Sequence, residues 1–393
     1  MTPVEIHVNR DALIADLAAM IRIPSVNCFG IEDPARPAEA AMGDHFAQRL
    51  LDLGLDVATK EVSGGRRNVW GVLKGTGHGP TIMLAGHLDT VGVDGYAGPF
   101  EPKIEGGKIY GRGSCDMKAG LAAYLEVIRI LQATDTRLAG DLIVAGVVDE
   151  EHAMTGSYDF GLNGPDVDFA IIAEPSNLAI CPTHKGQICR SIRTKGVSVH
   201  SSVPEQGVNA IFHMSRVLSD LHDLADQLKK SEPDPMCGTP SLSVGVISGG
   251  ANVSSVPDWC EIEIDRRTIP GETFQSVTAE LQTLLDKIAE TTADFSYELS
   301  PPELNVDPFH TDLSSPIVKT ITQACTEVTN ILAKTAAFSG STDAPNFRCP
   351  AVICGAGSLA QCHSLNEYVE IDELVAAVQI YVRTIQLMQK AAE

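Results

Sequence analysis

The residues with the clearest chemical potential are a histidine and an aspartate one position apart, His87 and Asp89. They follow Thr81 to Ala85, an apolar run that predicts a buried strand ending in a glycine turn. Residues two apart in a strand point to the same side, so both side chains can face one point. A carboxylate commonly orients a histidine that binds a metal. The pair therefore indicates a metal ligand with its supporting acid, although a chance pair in a surface turn would look the same.

Carboxylates also follow two further apolar runs. Leu142–Val148 leads directly into Asp149-Glu-Glu-His152, and Phe169–Ala173 leads into Glu174. In open α/β sheets, ligands bind beyond the carboxyl ends of the strands. Adjacent carboxylates repel one another unless cations compensate them. A solvated turn is the usual fate of such a charge run, but its position at a strand end favours a cation site.

Two more candidates complete a ligand set. Asp116 lies in Gly111–Lys118, where it could simply cap the following helix, and His363 follows a fourth strand-like run at Ala351–Cys354. Two imidazoles and three carboxylates suit zinc by hardness and number: His87, Asp116, Glu151, Glu174 and His363. Five residues can hold two ions if one carboxylate bridges them. Glu150 is then left over, and a spare carboxylate beside a water activated by a metal is a general base.

Length and composition limit the kind of protein. A chain of 393 residues favours two domains, and 44% apolar residues is typical of globular proteins. The formal net charge of −22 argues against nucleic acid and anionic membranes as partners. No apolar run is long enough to span a membrane, and no signal peptide is apparent. The ten cysteines are scattered without a Cys-x-x-Cys, which favours reduced thiols and a cytoplasmic location.

Alternating strand-like and helix-like runs predict an α/β domain with a largely parallel sheet. Apolar periodicity predicts helices at residues 9–22, 37–53, 118–131, 316–329 and 373–390, with Pro37 in a first turn and Gly54 at a helix end. Strands are predicted at 57–61, 69–73, 81–85, 142–148, 169–173 and 351–354. The glycine-rich stretch 91–115 is predicted to be a long functional loop.

The middle of the chain changes character. Its predicted order is strand 188–195, helix 209–228, strands 242–248 and 260–266, helix 273–292 and strand 295–299, which matches a ferredoxin-like unit. We therefore predict a three-layer catalytic domain formed by residues 1–185 and 301–393. Residues 186–300 form an inserted α+β domain.

Taken in chain order, these motifs resemble the M20 family of di-zinc amidohydrolases and peptidases. The family includes acetylornithine deacetylase, succinyl-diaminopimelate desuccinylase, aminoacylases and glutamate carboxypeptidases, and the resemblance covers nearly the whole chain. It implies that Asp116 bridges two Zn²⁺ ions per subunit, for which Co²⁺ can substitute. It implies that His87 and Glu174 hold one ion and that Glu151 and His363 hold the other.

The resemblance assigns further roles. It implies Glu150 as general base, Asp89 as the partner of His87, and a cis peptide bond after Asp116. Val197–Ser202 resembles the histidine motif of the family's lid domain, in which the residue at His200 reaches the active site of a partner subunit, so a homodimer is implied. Without the family, His200 reads equally well as a satisfied polar residue at a strand end.

The segment Asp265–Gly271 resembles the family's Asp-x-Arg-x-x-Pro-Gly. By that pattern Arg267, not Arg266, grips a substrate carboxylate, although an ordinary surface salt bridge is the simpler interpretation. Where the family usually has asparagine before Pro257, this chain has Ser254, and Asn252 lies nearby as a second candidate for substrate binding.

Two further departures leave the predicted ligands unchanged. Ala356 stands where the family often has proline, and Cys362 stands where alanine often precedes the histidine.

Within the family, four segments look most like the acetylornithine deacetylase branch: Gly113–Lys118, His184–Gly186, Ser341–Pro345 and Gln361–Tyr368. We therefore expect hydrolysis of the amide bond of an N-acyl amino acid, with N-acetyl-L-ornithine as leading substrate. An N-succinyl-amino-acid desuccinylase, an aminoacylase and a dipeptidase or carboxypeptidase are alternatives. Two other classes compete: a thiol hydrolase that uses Cys115 before a helix, and a non-catalytic metal-binding module. The presence of Glu150, which adds nothing to metal affinity, argues against the module.

Overall fold

The computed structural model describes residues 6–31 and 39–390. The chain divides into two compact units, one formed by residues 1–183 and 310–393 and the other by residues 184–309. The predicted boundaries were residues 186 and 300. The later return lies at residue 309 because Leu304–Val306 still pairs with the strand at Gly186–Lys195.

The helices of the described residues are α1 (Arg10–Ile21), α2 (Ala40–Asp52), α3 (Lys118–Ala133), α4 (Thr155–Asn163), α5 (Ala210–Leu228), α6 (Phe274–Thr291), α7 (Pro316–Thr329) and α8 (Ile371–Lys390). The Asn9 side chain caps α1 by accepting from the Ala12 N–H at 3.1 Å. Gly54, with φ +75°, follows the end of α2 as predicted, whereas Pro37 lies outside the described residues. The prediction missed α4. None of these helices is both long and apolar enough to cross a membrane.

The strands in the same residues are β1 (Asp56–Ser63), β2 (Arg66–Leu73), β3 (Ile82–His87), β4 (Lys103–Glu105), β5 (Lys108–Tyr110), β6 (Leu142–Val147), β7 (Phe169–Pro175), β8 (Ile180–His184), β9 (Gly186–Lys195), β10 (Ser241–Gly249), β11 (Trp259–Thr268), β12 (Ser296–Leu299), β13 (Leu304–Val306), β14 (Phe309–His310), β15 (Thr335–Phe338), β16 (Ala351–Gly355) and β17 (Tyr368–Glu370).

The main sheet of the first unit has the order β1-β2-β6-β3-β7-β16-β8-β14, with β15 paired to β8. Its four central strands, β6, β3, β7 and β16, run parallel, and antiparallel strands flank them. The central strands are buried along almost their whole length, as expected for strands covered on both faces. The predicted α/β class with a largely parallel sheet is confirmed.

Strand β3 runs two residues further than the sequence indicated. Gly86 and His87 pair with Gly146 and Val147 of β6, so Gly86 is inside the strand and not in a turn. A Cβ at Gly86 would lie 2.6 Å from the Met117 Cε, so a larger residue would require the Met117 side chain to move. His87 is therefore held by a paired strand.

The predicted loop at 91–115 contains a hairpin. Strands β4 and β5 pair across Gly106-Gly107, which have φ of +59° and +78°, and β17 pairs with β5 to complete a small sheet. Two consecutive residues with positive φ are typical of a tight hairpin turn. The Gly-Gly pair was the signal that the prediction overlooked.

The second unit contains a separate antiparallel sheet with the order β10-β11-β9-β12, and β13 also pairs with β9. Helices α5 and α6 supply most of the apolar side chains that cover one face of this sheet. The first four strands and two helices occur in the order β-α-β-β-α-β, which is the predicted ferredoxin-like arrangement.

A buried carboxylate fixes the loop that precedes Asp116. Glu367 Oε1 accepts from the backbone N–H groups of Cys115 (2.7 Å) and Asp116 (3.0 Å), and Oε2 accepts from the Gly113 N–H (3.0 Å). Oε2 also pairs with Arg112 Nη1 at 2.7 Å. Both members of this ion pair are almost fully buried. Glu367 therefore positions Asp116 through its backbone.

We predict that Glu367→Gln strongly destabilises the protein. The amide removes the negative charge opposite buried Arg112, and leaving one buried charge unpaired typically costs about 3–5 kcal/mol. Thermal unfolding in chelator measures the effect without any contribution from metal. Asp372→Asn is the matched control because it breaks the exposed Arg10–Asp372 pair, where about 0–1 kcal/mol is expected. Equal small shifts in both variants would contradict the role of Glu367.

Candidate metal and catalytic site

Four parallel strands bring the predicted ligands to one edge of the main sheet. His87 is the last residue of β3, Glu174 lies near the end of β7, Glu151 follows β6, and His363 follows β16. The carboxyl ends of parallel strands share one edge, which is where open α/β sheets bind ligands. The prediction that these strand ends converge is therefore met by the geometry.

Asp116 lies between two histidines. Its Oδ1 is 3.1 Å from His87 Nε2, and its Oδ2 is 3.4 Å from His363 Nε2. Glu174 Oε1 lies 3.6 Å from His87 Nε2, and Glu151 Oε2 lies 3.1 Å from His363 Nε2. Two ligand clusters thus share the Asp116 carboxylate. The Asp116–Met117 peptide bond is cis, as the resemblance implied.

These donors fit cations. One ligand atom each from His87, Asp116 and Glu151 lies within 4.8 Å of the other two. Glu174 Oε1 is buried and accepts no hydrogen bond from the described residues, although buried polar atoms are nearly always satisfied. Imidazole and carboxylate are the ligands expected for zinc. The five residues therefore fit a pair of metal ions that share Asp116.

The electrostatics of the cluster also require positive charge. Burial, followed by repulsion from neighbouring acids, raises the pKa of Glu174 well above its ordinary value, and His87 only partly offsets this. Burial lowers the pKa of His87, but hydrogen bonds to Asp116 and Asp89 outweigh burial and leave it raised. Hydrogen bonds to Asp116 and Glu151 raise the pKa of His363 to about 10. The raised pKa values of Glu174 and His363 thus reflect a buried excess of negative charge. Burial opposes ionisation of Asp116 as well, but hydrogen bonds from His363 and His87 outweigh it and lower the pKa of Asp116.

Asp89 contacts the backbone of Glu150 and Glu151 as well as His87. His87 Nδ1 is 3.0 Å from the Asp89 backbone carbonyl and 3.5 Å from its carboxylate, so the carbonyl is the nearer partner. The carboxylate accepts from the N–H groups of Glu150 (3.2 Å) and Glu151 (3.0 Å) and from Asn27 Nδ2 (2.7 Å). Asp89 therefore fixes both His87 and the turn that carries Glu150 and Glu151.

A further buried network supports that turn. Arg66 Nη1 lies 2.8 Å from Asp149 Oδ1 and 3.4 Å from Glu39 Oε1, and the Asp149 N–H donates to Glu39 at 3.0 Å. Burial, followed by the charge of Asp89, raises the pKa of Glu39 to about 7. The sequence analysis missed Asn27, Glu39 and Arg66 because no local pattern links them to residues more than 60 positions away.

Glu150 and Asp343 are the remaining acids of this region. Burial raises the pKa of Glu150 well above its ordinary value, and repulsion from Glu174 and Asp343 adds to the effect. Burial likewise raises the pKa of Asp343 to about 7. Asp343 lies in the segment Ser341–Pro345, which the sequence analysis used for the resemblance without assigning the acid a role. A carboxylate that binds protons more readily than usual suits the acceptance of a proton from water.

The surroundings of Cys115 argue against the thiol hydrolase. Its side chain is fully buried and donates to the Ser358 carbonyl at 3.6 Å. The thiol of Cys362 hydrogen-bonds Cys115, and this contact, together with burial, raises the pKa of Cys362 far above its ordinary value. A hydrolytic nucleophile must be accessible to its substrate, and the Cys115 thiol is fully buried.

The second unit contains the other predicted residues. The His200 side chain is exposed, and its Nδ1 accepts from the Ser202 N–H at 3.2 Å and lies 2.7 Å from Ser202 Oγ. A backbone N–H can only donate, so Nδ1 is the acceptor nitrogen and the neutral imidazole has its proton on Nε2. His200 can therefore donate one hydrogen bond from Nε2.

Strand alternation separates the two arginines of β11. Arg266 is buried and pairs with Glu272 Oε1 at 2.5 Å, whereas Arg267 is about one-third exposed and pairs with Asp265 at 3.0 Å. Only Arg267 can therefore reach a ligand from the solvent side of the strand.

Asn252 and Ser254 occupy an exposed turn. The Asn252 side-chain oxygen accepts from the Ser254 N–H at 2.9 Å. This oxygen stabilises the turn, and both exposed residues stay candidates for contact with a ligand.

Comparison with solved structures gives the same architecture. A tripeptidase from Staphylococcus aureus matches with a TM-score of 0.78 at 22% identity, over 98% of this chain and 99% of its own. An aminopeptidase from Bacillus cereus gives 0.79 at 20% identity, over 97% and 99%. A dinuclear metal binding peptidase of the M20 family from Bacillus subtilis gives 0.71 at 16% identity, over 97% and 98%. At these identities the likeness is one of fold.

A family model identifies the chain itself. The model of Peptidase family M20/M25/M40 matches residues 83–387, which is more than half of the chain and includes all five ligand residues and Glu150. The match agrees with the two clusters that share Asp116. The acetylornithine deacetylase branch is not distinguished by these comparisons and stays a prediction. The chain belongs to peptidase family M20/M25/M40, a family of metal-dependent hydrolases.

Proposed function

We propose that this protein is a di-zinc amidohydrolase that removes the acyl group from an N-acyl amino acid with a free α-carboxylate, with N-acetyl-L-ornithine as the leading substrate. The observation that carries the proposal is the Asp116 carboxylate, whose two oxygens face two different imidazoles. The acyl group and side chain rest on the motif resemblance. The scattered free cysteines support a cytoplasmic location.

Peptide hydrolysis is the alternative that the comparisons favour. The structural neighbours include the tripeptidase and a dipeptidase from Saccharomyces cerevisiae. Hydrolysis of a peptide and of an N-acyl amino acid breaks the same kind of amide bond, so the same catalytic groups serve both. What separates them is the group on the acyl side, which a substrate panel tests directly.

The catalytic groups act in sequence on water and amide. Two bound metal ions would supply polarisation of the amide carbonyl and a lowered pKa of water. Glu150 accepts the proton of the attacking water and delivers it to the departing nitrogen. The raised pKa that burial gives Glu150 helps it to retain that proton between the two transfers. Asp89 holds the Glu150 backbone, so the base stays aligned with the ligands.

His200 and Arg267 complete the proposed reaction from the second unit. The Nε2–H of His200 stabilises the negative charge that develops on the amide oxygen, a contribution typically worth about 3–4 kcal/mol. Arg267 receives the substrate α-carboxylate, for which a planar guanidinium is suited, and Ser254 or Asn252 contacts the substrate beside it.

The second unit also supports a homodimer. Strand β10 is an edge of its sheet, and Val246 and Ile247 on it and Ile211 and Phe212 on α5 are exposed. An exposed edge strand with apolar neighbours favours pairing with another chain. We propose that the partner is a second copy, because identical edges can pair antiparallel across a twofold axis. His200 would then act in the partner's site, as the resemblance implies.

We predict that Glu150→Gln lowers kcat about 10²–10⁴-fold, the range for loss of a general base, without lowering bound metal. Elemental analysis of the desalted protein and steady-state kinetics measure the two quantities. Glu151→Gln is the matched comparison, since it alters the neighbouring residue but removes a ligand and should lower metal content. Near-normal turnover of Glu150→Gln would show that another group is the base.

We predict that substrates need a free α-carboxylate and that Arg267→Ala raises KM for them. A panel of N-acetyl, N-succinyl and N-carbamoyl amino acids, dipeptides and tripeptides is assayed against the matching carboxamides. Arg193→Ala is the control because Arg193 lies on neighbouring β9 with comparable exposure, paired with Glu261. Equal cleavage of acids and carboxamides argues against the carboxylate site. Cleavage of peptides alone would replace the deacetylase by a peptidase.

We predict that mixing two inactive variants restores activity. Subunit exchange between His200→Ala and Glu150→Gln produces heterodimers, in which one of the two sites contains both groups if His200 acts in the partner. Activity is measured after exchange has been demonstrated with differently tagged subunits, and each variant mixed with itself is the control. No recovery after proven exchange would mean that His200 acts within its own chain or has no catalytic role.

A further inference from the structure

The second unit contains a cavity to which the proposed reaction assigns no role. Its volume is about 640 Å³, and it is lined by the start of α5 and by residues 291–294 at the end of α6. Cavities that bind small molecules commonly have volumes of about 300–1,000 Å³. His200, Arg267 and Ser254 are not among the lining residues. The cavity is therefore a separate place on this unit where a small molecule fits.

Two buried polar atoms of residues in the cavity wall have no hydrogen-bond partner in the described part of the chain. They are Nδ1 of His213, a residue that is only 9% exposed, and Oγ1 of Thr292. Burial, followed by the charge of Arg216, lowers the pKa of His213, so its ring is uncharged at neutral pH. Buried polar atoms are nearly always satisfied. The wall thus has hydrogen-bonding capacity that the protein itself leaves unused.

Two helix ends give the cavity opposite electrostatic poles. The N-terminus of α5, capped by Asn209, lines one part of it, and the C-terminus of α6 lines another. Aligned peptide dipoles make the first end positive and the second negative. Charged side chains match these poles, because Arg216 lies within the first two turns of α5 and Asp294 follows α6. Among the described residues, neither side chain forms an ion pair.

We propose that this cavity binds a free α-amino acid. The ligand's carboxylate lies toward Arg216 and the N-terminus of α5, and its ammonium group lies toward Asp294 and the C-terminus of α6. A simple anion would be repelled by Asp294, and a simple cation would be repelled by Arg216. A zwitterion uses both poles, and its charged groups also bring the donors and acceptors that the unpartnered atoms of His213 and Thr292 lack.

The cavity adjoins the loop that contains His200. Gly207 and Val208 line it, and Val208 pairs with Val197 through backbone hydrogen bonds of 2.9 and 3.0 Å. This pair closes the loop between residues 197 and 208. A ligand beside Val208 therefore stabilises the closed end of the loop. Free α-amino acids are also products of the amide hydrolysis proposed above, and only this relation to the product, with any effect on turnover, rests on the proposed function.

The experiment measures binding to the metal-loaded, full-length protein by isothermal titration calorimetry. The zwitterionic probes are L-leucine, L-ornithine and L-alanine, which sample different side chains. 4-Methylpentanoate is leucine without its ammonium group, and 3-methylbutylamine is leucine without its carboxylate. Both analogues should bind about 10–100-fold more weakly than the amino acid, because each lacks one hydrogen-bonded charge.

Surface variants test the two poles separately. Arg216→Gln and Asp294→Asn should each weaken amino-acid binding about 10–100-fold. Asparagine readily adopts the positive φ of +59° that Asp294 has, so the turn is preserved. Lys229→Gln is the matched control, because it removes an exposed charge beyond the other end of α5, where Lys229 pairs with Asp226 at 3.0 Å. Arg267→Ala should also retain binding, which distinguishes the cavity from the proposed substrate carboxylate site.

Hydrogen exchange followed by mass spectrometry locates the bound amino acid. Binding should slow exchange at residues 207–213 and 291–295, and this protection should be lost in both pole variants.

The other outcomes overturn the proposal. They are no binding of any of the three amino acids at millimolar concentration, equal affinity for leucine and its two analogues, or exchange protection confined to the first unit. Loss of binding in Arg267→Ala but not in Arg216→Gln would assign the amino acid to the substrate site instead. The proposed function is judged separately. Amino-acid binding in the cavity of a protein that cleaves no amide would uphold this site and refute the amidohydrolase.

Discussion

The structure depends on one electrostatic constraint, which is the burial of more carboxylates than the protein's own cations can neutralise. Asp116, Glu151 and Glu174 each have a carboxylate oxygen within 3.6 Å of His87 or His363, and Glu150 is buried next to Glu151. Burial of unpaired charge is costly, so the cluster either takes up protons, which the raised pKa of Glu174 favours, or binds cations. Since metal binding offsets this cost, removal of metal should affect the stability of this region as well as its chemistry.

The supporting contacts position the buried carboxylates but do not neutralise their charge. Glu367 binds the backbone before Asp116, and Asp89 binds the backbone N–H groups of Glu150 and Glu151. In both cases a carboxylate accepts from N–H groups, so a ligand or base is held through its main chain and its side chain stays available. Arg112 pairs with Glu367 at 2.7 Å, and Arg66 pairs with Asp149, which directly precedes Glu150, at 2.8 Å. Ligand geometry is thus set by a second layer of ion pairs outside the cluster.

The apolar periodicity of the sequence was sufficient to predict the candidate ligands, but not the residues that support them. Apolar runs predict buried strands, and acids at the ends of such strands indicate a binding site. Runs of this kind precede His87, Glu151, Glu174 and His363. The supporting partners Asn27, Glu39 and Arg66 lie outside every motif, because each contacts the site across a long stretch of chain. Glu367 and Asp343 lie inside segments that carry the resemblance, but nothing in those segments indicates what either acid does. The end of β3 was misplaced because a glycine there indicates a turn, whereas Gly86 pairs with Gly146 inside the strand.

The proposed reaction gives the residues of the two units different roles. In the proposed reaction the ligands and Glu150 act on the amide group, which every candidate substrate shares, so they cannot distinguish an N-acetyl amino acid from a peptide. Arg267 and Ser254 belong to the second unit, where β11 and an exposed turn present them to solvent. A site that pairs with a substrate's charged group rejects analogues that lack it, whereas apolar contacts discriminate weakly. In the proposed reaction, selection among these substrates is therefore assigned to Arg267 and Ser254, and the ligands and Glu150 are assigned the chemistry common to them all.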